Sequence, residues 1–350
     1  GVLPAVCGHC LKPAATGASG ACGKLFSFPE FQARHSARET TINRDTTGGV
    51  IVFKIRSMDA PLGAEVIGLD LGKPLSDADF TTVINAFHDR SVLIFRDQKI
   101  TPEQHIAFSR RLGELQVHIQ STYHLPGYPE IYSISNVVDE NGKPIGLADA
   151  GKVWHTDLSY VEQPSRCSLL YALEVPHDDN GQPLGDTLFS STIHAYAGLP
   201  QATKDRIAGL RAVHSYMHIF DKINAIKRVG ASNLVPLTDE QKKKVPEVVH
   251  PVVITHPYTR KKILFVNDGI TVKILDLPEE EGRDLLKTLV DHAHREEFIY
   301  RHKWRVGDLL MWDNFATQHL AMHDYVLPRR RRMQRTTVQG TAPVYDPLPA

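Results

Sequence analysis

Near the middle of the chain runs the stretch Lys152-Val153-Trp154-His155-Thr156-Asp157-Leu158-Ser159-Tyr160. Its apolar and aromatic residues predict a β-strand, in which side chains two positions apart point to the same side. His155 and Asp157 would then present an imidazole and a carboxylate to one point in space. A third ligand from a neighbouring strand would complete the two-histidine, one-carboxylate set that holds ferrous iron and leaves other coordination positions open. His319 is the candidate for this third ligand.

The His-x-Asp/Glu pattern is weak evidence for a metal site when taken alone. With 18 histidines and 40 acidic residues in 350, roughly two matches are expected by chance, and three occur. The match at His177 lies among residues that favour a turn. The match at His294 falls in a helical pattern, where positions two apart face different ways. Only the match at His155 lies on a predicted strand.

The overall composition is that of an ordinary globular protein. Hydrophobic residues make up 42% of the chain and charged residues 23%, so the chain can bury a large core as one large or two ordinary domains. Basic and acidic residues balance at 40 each, which gives no overall field to attract nucleic acid or an anionic membrane. No apolar run approaches the roughly 18 residues of a membrane span, and four cysteines give no disulfide framework. We therefore expect a cytoplasmic protein with no nucleic-acid or membrane partner.

The first 45 residues differ from the rest of the chain. They place three cysteines among Gly, Ala, Ser and Pro, with no sustained helix or strand period. The close pair Cys7 and Cys10 lacks the second pair of a usual zinc site. The short apolar run at residues 2–6 has no positive charge before it, as a signal peptide would. We expect a poorly ordered N-terminal extension over residues 1–45 and one folded domain over residues 46–345.

The remaining chain predicts a mixed α and β opening followed by many strands. Helices are expected after Ser76 and after Thr101, where Pro102 takes the first helical position, and an amphipathic helix is expected over residues 278–295. Strands are predicted at residues 50–53, 64–67, 92–95, 130–135, 167–173, 185–189, 252–255, 263–266, 298–304, 308–313 and 332–339. The polar insertion at residues 221–247 is a candidate lid. Many strands with long, irregular connections indicate a sandwich or jelly-roll barrel rather than alternating βαβ units.

Three motifs in order carry a resemblance to a known family. They are Val153-Trp154-His155-Thr156-Asp157, then Gly185-Asp186-Thr187, then Gly307-Asp308-Leu309-Leu310-Met311-Trp312-Asp313-Asn314 with Thr317-Gln318-His319 and the arginines up to Arg335. Together they resemble the taurine and 2,4-dichlorophenoxyacetate dioxygenases, from about residue 62 to residue 340. The resemblance implies an iron(II)- and 2-oxoglutarate-dependent oxygenase. Its implied fold is mainly β with flanking helices (α+β), a double-stranded β-helix or jelly roll with a lid inserted between the metal-ligand strands.

The resemblance also implies the residues that bind the cofactors. His155, Asp157 and His319 would be the ligands of Fe(II), although zinc could occupy the same three ligands. Thr187 and one arginine would hold the distal carboxylate of 2-oxoglutarate, for which a hydroxyl donor and a planar guanidinium are suited. Alignment from His319 gives Arg330, whereas alignment from the downstream Arg335 gives Arg331. We favour Arg331 and keep Arg330 as the alternative.

For the substrate, the resemblance points to a small organic anion. His118 and Arg335 correspond to positions that hold the anionic head of taurine, but the family's tyrosine and asparagine near that head appear here as Ser121 and Gly151. Lys152 is closer to the phenoxyacetate branch. The candidate substrates are therefore a sulfonate such as taurine, a sulfate ester, or an aryloxyalkanoate or other carboxylate.

The implied reaction consumes O2 and 2-oxoglutarate, hydroxylates the anion, and releases succinate and carbon dioxide. We further expect a homo-oligomer. Two alternatives remain at this stage. One is a jelly-roll protein that binds a metabolite without turnover, and the other is an oxygenase that acts on nucleic acid, suggested by the four consecutive arginines at residues 329–332.

Overall fold

The computed structural model describes residues 39–42, 53–226 and 233–346. The helices in these ranges are α1 Asp77–Arg90, α2 Pro102–Arg110, α3 Thr192–Gly198, α4 Gln201–Ile207, α5 Tyr216–Ala225, α6 Asp239–Lys244 and α7 Glu279–Ala293. The strands are β1 Glu39–Ile42, β2 Phe53–Ser57, β3 Ala64–Ile67, β4 Val92–Phe95, β5 His124–Leu125, β6 Tyr128–Ser135, β7 Ser165–Glu174, β8 Thr187–Ser191, β9 Arg211–His214, β10 Val248–Pro251, β11 Val253–Thr255, β12 Lys262–Leu264, β13 Thr271–Ile274, β14 Ile299–His302, β15 Leu309–Asp313, β16 Thr317–Ala321 and β17 Arg332–Gln339.

A nine-stranded sheet and a three-stranded sheet face each other. The larger sheet has the order β1-β2-β3-β4-β15-β7-β17-β6-β5, and the smaller has the order β14-β8-β16. Residues of both sheets share one buried core, in which Phe189 of the small sheet packs against Trp312 of the large sheet with ring centroids 5.6 Å apart. Burial of these aromatic side chains and of their aliphatic neighbours stabilises the contact between the two sheets.

The opposite face of the large sheet is covered by α1 and α2. The side chain of Ser76 accepts a hydrogen bond from Asp79 N and so caps the start of α1, while Thr101 and Gln104 form a reciprocal capping box at the start of α2. Phe87 and Phe108 from these helices are buried in a second core against the sheet. The sequence signals of both helix starts are thus confirmed.

A third layer is built from the long connection between β8 and β14. Its helices α3, α4 and α7 pack with the sheets β10-β9-β13 and β11-β12 around a separate apolar core. Leu285, Leu289 and Ala293 supply the buried stripe of α7 at helical spacing. The predicted amphipathic helix is confirmed, and it anchors this layer beside the small sheet.

The prediction of a strand over residues 152–160 is wrong. Only His155 pairs, in an isolated bridge with His319, and the chain then turns over residues 157–160, where Leu158 has a left-handed φ of 60°. The turn forms because the Asp157 carbonyl accepts the Ser165 hydroxyl at 3.0 Å instead of a strand partner, and Leu158 O accepts Val161 N–H at 3.2 Å. The direction of the Asp157 side chain is therefore set by a turn, and not by the alternation of side chains along a strand.

Most other predicted strands are confirmed: β3, β4 and β17 have the predicted bounds, whereas β6, β7 and β15 have shifted ends. Strands β9, β10, β13 and β16 were not predicted. Strand β1 lies inside the expected extension, where its backbone pairs antiparallel with β2. Residues 1–38 and 43–52 lie outside the described residues, so the predicted boundary at residue 45 stays a prediction. Across the described ranges, every helix is too short or too polar to cross a bilayer.

Candidate metal centre and adjoining cavity

Three potential metal ligands meet beside the small sheet. His319 lies in the middle of β16, and His155 is joined to it by two backbone hydrogen bonds of 3.2 and 2.9 Å. Asp157 follows at the start of the turn. One ligand atom from each of the three residues lies within 4.8 Å of the others, and all three side chains are buried. The fold therefore brings together side chains that are up to 164 residues apart.

The hydrogen bonds of His155 leave one ring nitrogen free for a ligand role. Its Nδ1 lies 2.8 Å from the carbonyl of Val153, which can only accept, so Nδ1 carries the proton. The unprotonated Nε2 then faces Asp157 Oδ1 at 3.6 Å. In His319, Nδ1 is buried without a hydrogen-bond partner among the described residues. Two imidazoles and one carboxylate are a donor set that fits ferrous iron.

The electrostatic surroundings keep Asp157 and His319 in the protonation states that a divalent metal requires. Burial alone would raise the pKa of Asp157, but the guanidinium of Arg335, 2.9 Å from Oδ1, and the neighbouring imidazoles hold it well below its usual range. Burial, together with the adjacent His155, lowers the pKa of His319 well below its usual value. Asp157 is therefore an anion and His319 a neutral base near pH 7.

A second group of predicted residues lies at the far end of the small sheet. Thr187 begins β8, and its hydroxyl accepts a hydrogen bond of 3.0 Å from Trp304 Nε1. Arg331 is buried, with its guanidinium carbon 6.0 Å from the rings of both Trp304 and Tyr325. A Cβ at Gly185 would lie 2.9 Å from the Tyr325 ring and 3.2 Å from Arg331 Nε, so glycine is required there. These residues could hold a carboxylate, because Arg331 Nε has no partner among the described residues.

The other arginines of the basic run are paired with acidic side chains. Arg330 is exposed and bonds Glu174 at 2.7 Å, and Arg332 Nε lies 3.1 Å from the same carboxylate. Arg329 pairs with Asp179 at 2.6 Å. The run thus places one arginine inside the protein and three near its surface. The three near the surface each form an ion pair with a carboxylate, which offsets their charge.

A cavity of about 90 Å³ is lined by two of the three potential ligands, His155 and Asp157. Of the residues predicted to bind substrate, His118, Gly151 and Arg335 line it. Lys152 is not among its lining residues, because its ammonium is paired with the buried carboxylate of Asp149. The geometry therefore brings three of the four predicted substrate residues to the cavity and leaves Lys152 outside.

His118 offers a hydrogen-bond donor to this cavity. Its Nδ1 accepts the backbone N–H of Gln120 at 3.1 Å, which puts the ring proton of the neutral form on Nε2. Burial, assisted by the nearby charge of Arg335, lowers the pKa of His118 to about 3. The neutral imidazole is thus the form that faces the cavity at pH 7.

Sequence reasoning missed most of the cavity wall. Tyr132, Tyr160 and Tyr216 line it, and Tyr132 is directly opposite Arg335 in the β6–β17 register. Burial raises the pKa of Tyr132, and its hydroxyl has no partner among the described residues. The apolar lining residues are Leu147, Ala150, Leu158, Ile219, Phe220, Ile223, Leu234 and Ile270. Strand register and the α5 insertion bring these residues together, and a single sequence carries no local signal for either.

Comparisons with known proteins find the same pattern over most of the chain. Residues 54–337 match the sequence model of the family described as "Taurine catabolism dioxygenase TauD, TfdA family". The "Alpha-ketoglutarate-dependent 2,4-dichlorophenoxyacetate dioxygenase" of Cupriavidus pinatubonensis is 32% identical over 290 residues, which cover 80% of this chain and 96% of that protein. The "Alpha-ketoglutarate-dependent sulfonate dioxygenase" of Saccharomyces cerevisiae is 30% identical, over 84% of this chain and 68% of that protein.

A solved structure gives the same result for the fold. The structure of AAD-2 in complex with Mn(II) and N-oxalylglycine superposes with a TM-score of 0.67 at 32% identity. The match covers 83% of this chain and 99% of that one. The arrangement of sheets and helices is thus shared with that protein over nearly its whole length.

Proposed function

The chain belongs to the TauD/TfdA family of alpha-ketoglutarate-dependent dioxygenases, and we propose that it hydroxylates a small organic anion at an iron(II) held by His155, Asp157 and His319. The observation that carries this proposal is the convergence of the three buried side chains within 4.8 Å of one another. The imidazole of His319 is neutral and the carboxylate of Asp157 is ionised, as metal binding requires. Iron(II), with 2-oxoglutarate as cosubstrate, would supply the oxygen-activating chemistry.

We propose Thr187 and Arg331 as the site for the distal carboxylate of 2-oxoglutarate. The planar guanidinium can donate two parallel hydrogen bonds to a carboxylate. Trp304 occupies an acceptor position of the Thr187 hydroxyl, so the hydroxyl proton is free to point toward an incoming anion. Arg330 is the weaker candidate, because Glu174 already engages its exposed guanidinium.

The cavity supports a substrate with an anionic head and an apolar body. Arg335 and the Nε2–H of His118 would bind the head, and Gly151 leaves space beside His155 because it carries no side chain. Among the lining residues Asp157 is the one carboxylate, and it is already paired with Arg335. The wall thus offers no further carboxylate to an ammonium such as that of taurine. An aryloxyalkanoate, a sulfate ester or an apolar sulfonate fits the lining better.

We further propose that the two facing sheets form a double-stranded β-helix, with the insertion at residues 221–247, of which 227–232 lie outside the described residues, serving as the lid. Helix α5 supports this, because its residues Ile219, Phe220 and Ile223 line the cavity. Closure of an apolar wall over the cavity would exclude water from the reacting groups. The single catalytic domain over residues 46–345, the homo-oligomer and the cytoplasmic location stay predictions.

Succinate formation from 2-oxoglutarate tests the proposed activity directly. Purified protein with iron(II) and ascorbate should form succinate in the presence of one or more anions from a panel of phenoxyacetates, alkyl sulfates and sulfonates. His155→Ala should abolish this turnover, because it removes a metal ligand. His177→Ala is the matched control, since it changes the exposed histidine of another His-x-Asp match and should leave the rate unchanged. Wild-type protein that neither binds 2-oxoglutarate nor forms succinate with any anion would refute the proposal.

A further inference from the structure

We propose that Trp312, Asn314 and Ser168 form a hydrogen-bond relay that positions the carboxylate of Asp157 for the metal. These are positioning residues, because they act on the metal only through Asp157. The inference rests on the proposed metal site and adds to it the groups that decide which carboxylate oxygen is available.

The relay is continuous and buried. Trp312 Nε1 donates to Asn314 Oδ1 at 2.9 Å, and Asn314 Nδ2 donates to Ser168 Oγ at 3.0 Å. Ser168 Oγ donates in turn to Asp157 Oδ2 at 2.6 Å. Trp312 is 2% exposed, whereas Ser168 and Asn314 are fully buried. Water therefore does not compete with these bonds, and each is stronger than it would be at the surface.

The direction of every bond follows from chemistry alone. An indole N–H can only donate, so the oxygen of the Asn314 amide must face Trp312 and its NH2 must face the opposite way. That NH2 donates to Ser168 and also to Ser165 Oγ at 2.7 Å. With their oxygens accepting, the two serines direct their own protons toward Asp157. Ser168 bonds its carboxylate, and Ser165 bonds its backbone carbonyl at 3.0 Å.

The relay thus ends on Asp157 Oδ2, which accepts its last hydrogen bond. It occupies Oδ2 and leaves Oδ1 toward the histidines, with His155 Nε2 at 3.6 Å. Arg335 takes one lone pair of Oδ1 at 2.9 Å, which leaves the other for a metal. The arrangement favours binding through one carboxylate oxygen. The indole of Trp312 also packs against the ring of His319, with centroids 4.9 Å apart, so one residue supports two of the three ligands.

The local structure explains why these residues meet. Trp312 on β15 is paired with Ser168 on β7 in the large sheet. Asn314 follows directly after β15, and its backbone N–H bonds Arg166 O at 3.0 Å, which turns its side chain between the two serines. The relay therefore connects the large sheet to a ligand that lies beside the small sheet.

Affinity for Mn(II) alone, measured as free Mn(II) by electron paramagnetic resonance, tests the relay without turnover. Ser168→Ala should weaken Mn(II) binding about 10- to 100-fold, the usual cost of losing a group that orients a metal ligand. Ser168→Thr keeps the hydroxyl and should bind within a few-fold of wild type. Ser190→Ala is the matched control, because Ser190 is also fully buried but donates to Ala293 O at 2.5 Å. It should lose stability without losing Mn(II) affinity.

The double variant Ser168→Ala with Asn314→Ala distinguishes a relay from independent contacts. If Asn314 acts through Ser168, the double variant should bind Mn(II) about as weakly as Ser168→Ala alone. Additive losses, or equal Mn(II) affinity in wild type and Ser168→Ala, would overturn the relay. Wild-type protein that fails to bind Mn(II), or binds it as well as His155→Ala does, would overturn the metal site itself. The two failures are therefore distinguishable.

Discussion

Arg330 and Arg331 are adjacent in the chain, yet only one of them is available to a buried anion. Arg330 points outward and shares Glu174 with Arg332, so its charge is solvated and paired. Arg331 is 3% exposed and forms no ion pair with a carboxylate among the described residues. A buried guanidinium without a counter-charge costs several kcal/mol unless an anion binds it. A bound carboxylate would therefore offset an electrostatic cost that the free protein carries at Arg331.

Substitution of these two arginines should affect 2-oxoglutarate binding very differently. Arg331→Ala should weaken 2-oxoglutarate binding by about 10- to 100-fold, because charge-assisted hydrogen bonds contribute roughly 1.5–3 kcal/mol. Arg331→Lys should recover only part of the loss, since an ammonium lacks the planar fork. Arg330→Ala should bind within about two-fold of wild type. Calorimetric titration of 2-oxoglutarate into the Mn(II)-loaded protein measures all three, and a larger loss for Arg330→Ala would move the site to that residue.

At this scale the sequence identified residue types and motifs better than it identified contacts. The motif around His155, taken together with the downstream motifs that end at His319 and Arg335, nominated three ligands, and the structure brings them together. The sequence also nominated Lys152 as a substrate-binding residue, but its ammonium forms an ion pair with the carboxylate of Asp149, three positions earlier. Tyr132 could not be nominated, because its place opposite Arg335 depends on the register of two strands that are distant in sequence.

At the scale of elements, Asn233 helps to hold residues 233–235 against the cavity, together with Gln120, whose Nε2 donates to Val235 O at 2.6 Å. Asn233 accepts the backbone N–H of Ala148 at 2.9 Å and donates to Gly146 O at 2.6 Å. Its backbone carbonyl accepts the hydroxyl of Tyr123 at 2.7 Å. These bonds tie the next residue, Leu234, into the cavity wall. Asn233 therefore links the proposed lid to the loop that precedes His155.

Loss of this side chain should loosen the wall without disturbing the metal site. Asn233→Ala leaves the Ala148 N–H and the Gly146 carbonyl without partners, which costs about 1–3 kcal/mol locally. We expect faster amide hydrogen exchange at residues 233–237 and a KM for the anionic substrate raised about ten-fold. Affinity for 2-oxoglutarate should stay the same.

The exposed Asn141 lies in the same loop as Gly146 and supplies the control variant, Asn141→Ala. Unchanged hydrogen exchange in Asn233→Ala would show that other contacts hold the segment in place. A parallel loss of 2-oxoglutarate affinity would show instead that the substitution disturbs the site as a whole.

At the scale of the whole molecule, the local sequence predicted individual helices and strands, but it did not predict how these elements assemble into sheets. Helix caps and apolar strands such as β4 depend on neighbouring residues, so the sequence reveals them. Strand β16 reads Thr-Gln-His-Leu-Ala, and its polar start is buried because it pairs with β8 and lies against the third layer. The large sheet likewise joins β4, β15, β7 and β17, which are far apart in sequence. Such non-local pairings set the burial of polar residues, which a local pattern cannot indicate.

Buried neutral histidines make the fold sensitive to acid. Burial lowers the pKa of His105 to about 4 and of His214 to about 3, and burial together with nearby cationic side chains lowers that of His323 to about 3. In the unfolded chain a histidine has a pKa of about 6.5. The unfolded state therefore binds more protons as the pH falls below about 6.5, and the free energy of unfolding decreases until the folded pKa is reached.

His105 offers a single-site test of this behaviour, since it lies in α2 beside Ser109 and Thr336, away from the proposed metal ligands. With a folded pKa of about 4, its neutral burial should cost about 2 kcal/mol of stability at pH 5 relative to pH 8. His105→Asn cannot titrate, so the slope of the unfolding free energy between pH 5 and 6 should fall by up to about 1.4 kcal/mol per pH unit. Urea unfolding at several pH values measures this slope, which does not depend on any uniform loss of packing. His177→Asn, at an exposed position, should keep the wild-type slope. If His105→Asn also kept it, protonation of His105 would not contribute to acid unfolding.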